Sequence, residues 1–219
     1  MKKILLAITL LACCTTLSAQ DHYRKIRLAA DFGLSYQTKS FPVSKFAWGN
    51  GFGVNGSYFL NKNWGLGLDM HWMQYKTNEN TYMTGEGESL KTITEDTNAK
   101  LLFAGPAAFY RIDQRNNRGT FLIGAAGGYL DFNDKFTYVR NDEEPRDYKL
   151  KGHGLAAKVM VGYDFYVART SAVGILVSYT FGEMKNGEYT VNTPGVTIPD
   201  DVNRNLGHLN VTLGYRFGK

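Results

Sequence analysis

The chain has 219 residues and a formal charge of +5, a length that suits one domain. No apolar run reaches the roughly 20 residues that a membrane-spanning helix needs, which excludes an α-helical membrane protein. No basic patch interleaves with aromatics, which excludes a nucleic-acid partner.

The first element reads as an export signal. Met1-Lys2-Lys3 is a basic start, Ile4 to Ala12 is apolar, and Thr16-Leu17-Ser18-Ala19 makes a small-residue cut site before Gln20. The division is a signal over 1–19 and one domain over 20–219. Removing Lys2 and Lys3 lowers the charge to +3. Both cysteines, Cys13 and Cys14, leave with the signal, so the mature chain has no thiol or disulfide. The alternative is a lipoprotein box at Leu10-Leu11-Ala12-Cys13, which would leave a lipid on Cys13 and a polar tether over 15–25.

Eight strands follow, read by period-two alternation, which assigns successive side chains to opposite faces. In the first, Leu28, Ala30, Phe32, Leu34 and Tyr36 oppose Ala29, Asp31, Gly33, Ser35 and Gln37. In the second, Phe52, Val54, Gly56, Tyr58 and Leu60 oppose Gly53, Asn55 and Ser57. The third separates most cleanly: Trp64, Leu66, Leu68, Met70 and Trp72 against Gly65, Gly67, Asp69 and His71. The fourth, 100–111, is apolar on both parities, and Pro106 predicts a bulge or local break. The fifth, 120–132, is glycine-rich and also of unclear facing. The sixth sets Leu155, Ala157, Val159, Val161, Tyr163 and Phe165 against Lys158, Met160, Gly162 and Asp164. The seventh sets Val173, Ile175, Val177, Tyr179 and Phe181 against Gly174, Leu176, Ser178 and Thr180. The eighth sets Leu209, Val211, Leu213, Tyr215 and Phe217 against His208, Asn210, Thr212, Gly214 and Arg216.

An apolar outer face bounded by aromatics, with a small or polar inner face, is the pattern of a transmembrane β-barrel. The connections agree. Those at 61–63, 113–118 and 168–171 are short and polar, whereas those at 38–48, 76–98, 133–152 and 184–203 are long. Strict alternation predicts an eight-stranded antiparallel up-and-down barrel with short periplasmic turns, four long extracellular loops and periplasmic termini. From Trp64 to Trp72, eight residues at about 3.3 Å and near 40° of tilt rise roughly 20 Å, the spacing of two aromatic girdles. Tyr58, Tyr163, Phe165, Tyr215 and Phe217 would join the periplasmic girdle. Tyr36, Trp48, Tyr179 and Phe181 lie towards the other.

Three stretches resemble the small eight-stranded outer-membrane barrels, OmpA/OmpX-like, in the Bacteroidetes form. They are Leu17-Ser18-Ala19-Gln20, the tight turn from Tyr58 to Gly67, and the closing strand from Leu209 to Phe217. The likeness covers nearly all of the mature chain. It implies location in the bacterial outer membrane and a closing strand read by the barrel-insertion machinery, although Gly218 and Lys219 follow the terminal aromatic. The expectation is a barrel with no peptidoglycan-binding domain after it.

An eight-stranded interior is just wide enough for side chains. The expected lumen holds a structural polar network of Asp31, Asp69, His71, Lys158, Asp164, His208 and Arg216, with Asn210. Buried charges require partners, and Asp31 and Arg216, on neighbouring strands, are the expected pair. Asp69 and His71 are two potential metal ligands, too few for a site. No cofactor site is read. Gly51-Phe52-Gly53-Val54-Asn55-Gly56 fits a dinucleotide pattern but opens no helix, so its glycines are read as close-packed barrel positions. Asn210-Val211-Thr212 is a lumen-facing sequon without consequence in a bacterial barrel. His208 resembles the histidine of outer-membrane barrel lipases, but Asn210 stands where their serine would be, which argues against an enzyme.

Function then rests with the loops. Loop 2 is acidic, with Glu79, Glu86, Glu88, Glu95 and Asp96 against Lys76 and Lys91. Loop 3 alternates on both sides of Asn141-Asp142-Glu143-Glu144-Pro145, predicting a hairpin that carries Phe136, Tyr138 and Tyr148 beyond the membrane as a candidate contact surface. Pro199-Asp200-Asp201 in loop 4 offers carboxylates to divalent cations between lipopolysaccharide phosphates. The leading reading is a non-enzymatic barrel serving envelope integrity or surface adhesion. Its partners are outer-membrane lipids, lipopolysaccharide, and a protein or host surface at the loops. The alternatives are a narrow channel or transport accessory, a lipid-modifying enzyme, and a soluble lipocalin-like binder with the Trp64–Trp72 face turned inward.

Overall fold

A computed structural model describes residues 25–38, 48–84, 91–114, 119–140, 146–191 and 202–218. The signal over 1–19 lies outside them, as do the hairpin tip at 141–145 and Pro199-Asp200-Asp201. Eight strands make up the described structure: β1 (Ile26–Gln37), β2 (Trp48–Phe59), β3 (Trp64–Thr84), β4 (Lys91–Asp113), β5 (Gly119–Arg140), β6 (Arg146–Tyr166), β7 (Ser171–Val191) and β8 (Val202–Gly218). Each pairs antiparallel with its neighbours in sequence, and β1 pairs β8, so the sheet closes.

The tight β2–β3 turn shows how polar loop residues set the register. The Asn61 side-chain oxygen accepts from the backbone N–H groups of Asn63 and Trp64, at 2.9 and 2.8 Å. That is the local turn chemistry asparagine supplies. It starts a ladder in which Phe59 opposes Gly65 and Phe52 opposes Trp72.

The faces follow the alternation. Leu155 is 78 % exposed and Leu68 68 %, and Phe32, Leu34, Leu60 and Trp64 also point outward. Asp31, Asp69, Lys158 and Arg216 are buried inside. The lipocalin-like arrangement needs the reverse, with the Trp64–Trp72 face turned inward, and the structure rules it out.

Strands β4 and β5 resolve the ambiguous parity. Ala99, Leu101, Phe103, Ala107 and Phe109 of β4 point inward, as do Leu122, Ala126, Leu130 and Phe132 of β5. Both faces are apolar because one meets the surroundings and the other fills the barrel. Pro106 makes no bulge. The β4–β5 offset is the same on either side of it, and pairing lapses only between Ala104↔Tyr129 and Ala107↔Ala126. Pro106 points outward, so its missing N–H interrupts one ladder locally without shifting it.

The ladders also run further into the long connections than the alternation reaches. β3 and β4 stay paired to Thr84↔Lys91, and β5 and β6 to Tyr138↔Arg146. The physical reason is that a strand beyond the apolar band needs no greasy outer face, so period-two hydrophobicity fades while pairing continues. The arms of the expected hairpin at 133–152 are paired, and the described residues of 76–98 pair likewise. The β3–β4 extension is bulged between Thr77 and Asn80, and the β7–β8 extension between Met184 and Gly187.

A sheet hydrogen-bonded around its whole circumference has no edge from which to unzip. The purified protein is therefore expected to migrate differently on a detergent gel before and after boiling. Identical mobility would contradict the closed sheet.

Candidate functional site: a filled lumen

The inner side chains assemble in three polar layers beside one apolar block. At the short-turn end, Asp164 of β6 takes two arginines. Arg27 Nε donates to Oδ2 at 2.9 Å, and Arg216 Nε donates to Oδ1 at 3.0 Å. Arg216 Nη1 lies 2.6 Å from Asp31 Oδ1, and Arg27 Nη1 donates to Asn55 Oδ1 at 2.6 Å. The expected Asp31 and Arg216 do meet, within a larger cluster to which Asp164 also belongs.

Backbone space makes this cluster possible. A Cβ on Gly214 would lie 2.4 Å from Arg216 Nη1 and 2.5 Å from Asp31 Oδ1, and one on Gly174 would lie 2.3 Å from Asp164 Oδ1. Below the cluster, the Arg111 guanidinium sits 4.2 Å from the Phe59 ring centroid and donates from Nε to Lys62 O at 2.9 Å. The cavity between Arg27, Arg111, Asp164 and Arg216 is about 20 Å³, room for a water molecule rather than a solute.

The middle layer is Lys158 with Asp69 and His71. Lys158 Nζ donates to Asp69 Oδ2 at 2.7 Å and lies 3.5 Å from His71 Nδ1. The two candidate metal ligands thus converge on a lysine. Among the described residues no group of three or more His, Cys, Asp or Glu is placed to hold a metal. Gly51 and Gly53 make room for the His71 ring, since a Cβ on either would come within 2.7 or 2.8 Å of its nitrogens. Two glycines of the dinucleotide-like pattern are accordingly packing positions.

Towards the long-loop end, the Tyr75 hydroxyl lies 2.9 Å from His208 Nδ1 and 2.8 Å from Ser35 Oγ. Ser35 Oγ donates in turn to Asn210 Oδ1. His208 thus sits in a hydroxyl and amide chain rather than in an ion pair.

The rest of the lumen is apolar. Phe59, Met73, Phe103, Phe109, Phe132 and Met160 are among the residues that pack across it. This block and the polar layers together fill the interior.

Sequence reasoning missed Arg27, Tyr75 and Arg111. Arg27 and Tyr75 continue the inward parity of β1 and β3 just past the limits set by the alternation. Arg111 lay on a strand whose facing was undecided.

Outside, Trp64 packs on Tyr110 at 4.9 Å between ring centroids, and Tyr163 packs on Phe121 at 4.7 Å and on Phe165 at 4.4 Å. Tyr215 and Phe217 lie at the same end on β8, and Trp72 lies at the other end of β3. Phe136 opposes Tyr148, and Tyr138 opposes Arg146, on the β5–β6 extension. The side chains of Phe136, Tyr138 and Tyr148 lie outside the described residues, as do those of the loop 2 acids.

The chain matches, over residues 5–217, the family model described as outer membrane protein beta-barrel domain. The comparison with curated proteins yields no match. Among solved structures, it is similar to Neisserial surface protein A (NspA), at TM-score 0.53 and 16 % identity, covering 89 % of this chain and 97 % of that one. It is similar to a major outer membrane protein from Thermus thermophilus, at 0.52 and 11 %, covering 89 % and 99 %. A third similarity is to the outer membrane protease OmpT from Escherichia coli, at 0.49 and 11 %, covering 94 % and 99 %. At such identities the first two likenesses show the fold alone, and the third carries no argument.

Removing one partner of a buried ion pair costs about 3–5 kcal/mol, whereas replacing both by apolar groups costs far less. Asp164→Ala, which takes the carboxylate from Arg27 and leaves Arg216 with Asp31 alone, is expected to lower barrel stability by about that amount. The double variant D69L/K158M should be more stable than either single variant, as read by urea unfolding in detergent. Equal stability of all three would mean that the middle layer is not an ion pair.

Proposed function

The chain belongs to the outer membrane protein beta-barrel domain family, and on that premise we propose a non-enzymatic barrel that serves envelope integrity or surface adhesion. The family implies the bacterial outer membrane. The observation that supports the reading is the filled lumen. Ion-paired, hydrogen-bonded and aromatic side chains occupy the interior from Arg27 to His208, as expected of an eight-stranded barrel. A scaffold of this kind presents surfaces rather than a pathway, and the surfaces that vary in such scaffolds are the connections.

The proposed orientation puts both termini and the short turns in the periplasm and the β3–β4, β5–β6 and β7–β8 extensions outside the cell. The extensions would reach the proposed partners, which are lipopolysaccharide and a protein or host surface. The channel reading predicts ionic current, and the lipid-modifying reading predicts that His208 matters for lipid composition. Its Nδ1 faces the Tyr75 hydroxyl within the closed core, which supports a packing role.

Planar-bilayer recording of the purified barrel is expected to show no single-channel conductance. Resolved, reproducible steps would favour the channel instead. On the proposed removal of residues 1–19, which takes both cysteines away, Glu86→Cys should react with an impermeant maleimide on intact cells and Asn61→Cys should not. The opposite labelling would invert the orientation.

A further inference from the structure

The first two rows of the outer face above Trp72 carry a concentration of positive charge, and the third reads Asp96, Thr137, Asp147 in register. On the outward parity, one cross-strand row runs Gln74, Lys100, Asn133, Lys151 over β3 to β6. The next row runs Lys76, Asn98, Lys135, Lys149. Lys76, Lys100, Lys135 and Lys151 are exposed and Lys149 partly so. The two rows contain five lysines and three amides and no acid. One amide is held in place, with Gln74 Nε2 donating to Asn98 Oδ1 at 3.1 Å. The row beneath is Trp72, Leu102, Asp131, His153, and the apolar band follows. On β7, Glu188 stands opposite Lys151 in register and ends the patch.

Lys135 and Lys149 are directly opposite each other, an arrangement that costs energy in an antiparallel pair. Crowding shows on Lys149, whose pKa is lowered first by the charge of Lys151, then by burial and then by Lys135. Lysines commonly guard open sheet edges, but β5 is paired on both sides here. The repulsion is relieved if anions lie over the patch. The rows sit roughly 5 and 10 Å above Trp72, allowing about 3.3 Å per residue and near 40° of tilt. That is the depth of lipid headgroups.

We propose that the outward face of β3–β6, through Lys76, Lys100, Lys135, Lys149 and Lys151, binds the phosphate groups of a glycolipid in the outer leaflet. The site faces sideways and stands over Trp72 and Leu102, which lead to the apolar band, with Asp131 and His153 beside them. A lipid suits that placement, with acyl chains on the band and phosphates on the lysines. The lysine charge supplies the attraction, and the amides supply donors between the ammonium groups. This inference rests on the proposed orientation, which the cysteine labelling tests separately.

The test uses the full-length mature barrel in detergent, where orientation plays no part, and bisphosphorylated lipid A as the probe. Binding is measured for the wild type, for K135A/K149A/K151A, and for the control K25A/K62A at the short-turn end. The triple variant is expected to bind at least about tenfold more weakly, with the control unchanged. Equal binding by the triple variant overturns the proposal. If that variant does not fold, the wild type is compared on bisphosphorylated and dephosphorylated lipid A. A preference for the phosphorylated form supports the site, and equal binding overturns it. If inorganic pyrophosphate displaces lipid A at comparable concentration, the site takes soluble phosphate and the lipid assignment falls.

Discussion

In hydrocarbon an unpaired backbone N–H or C=O has no water to turn to, and each one left open costs several kcal/mol. A sheet meets that constraint only by joining its last strand to its first. Here β8 closes on β1 through eleven paired positions, from Arg27↔Gly218 to Gln37↔His208. With eight strands the enclosed space is narrow, and whatever points inward must pack. The layered lumen is a consequence of closure. Charges placed there are buried, so Asp164 gathers Arg27 and Arg216, and Asp69 gathers Lys158. Glycine makes room for the arginine–aspartate cluster at Gly174 and Gly214.

Legibility in the sequence tracked the contrast between the two faces. On β3 the outer residues are large and apolar and the inner ones are glycine, aspartate and histidine, so the facing is readable from one strand. On β4 and β5 the contrast vanishes, because Phe103, Phe109, Leu122 and Leu130 are core residues of the same chemistry as the outer band. No single-strand pattern separates two apolar faces; only the neighbours' registers do. The inner charges were legible as a set but not as partners. Asp31 and Arg216 sit on adjacent strands, whereas Lys158 and Asp69 lie across the barrel from each other, and periodicity says nothing about which residues meet across it. Arg27 and Tyr75 were lost to strand ends, where alternation is least decisive.

The outer surface changes character along the barrel axis. Around the band it is uniform grease with aromatic rims. Above the band it becomes directional, since β1 and β2 end at Gln37 and Trp48 while β3–β6 continue upward. The lysine rows lie on that taller side. With the interior filled by side chains, the taller β3–β6 side is what distinguishes one face of the barrel from another.

The doubly apolar β4–β5 hairpin bears on how this chain reaches its destination. Most other strands carry a polar inner face that water tolerates. This hairpin, from Ala99 to Phe132, carries large apolar residues on both faces. In transit through an aqueous compartment it is the segment most prone to self-association, since exposed apolar strands pair with one another. The packing that makes the finished barrel solid therefore makes the middle of the unfinished chain its stickiest part.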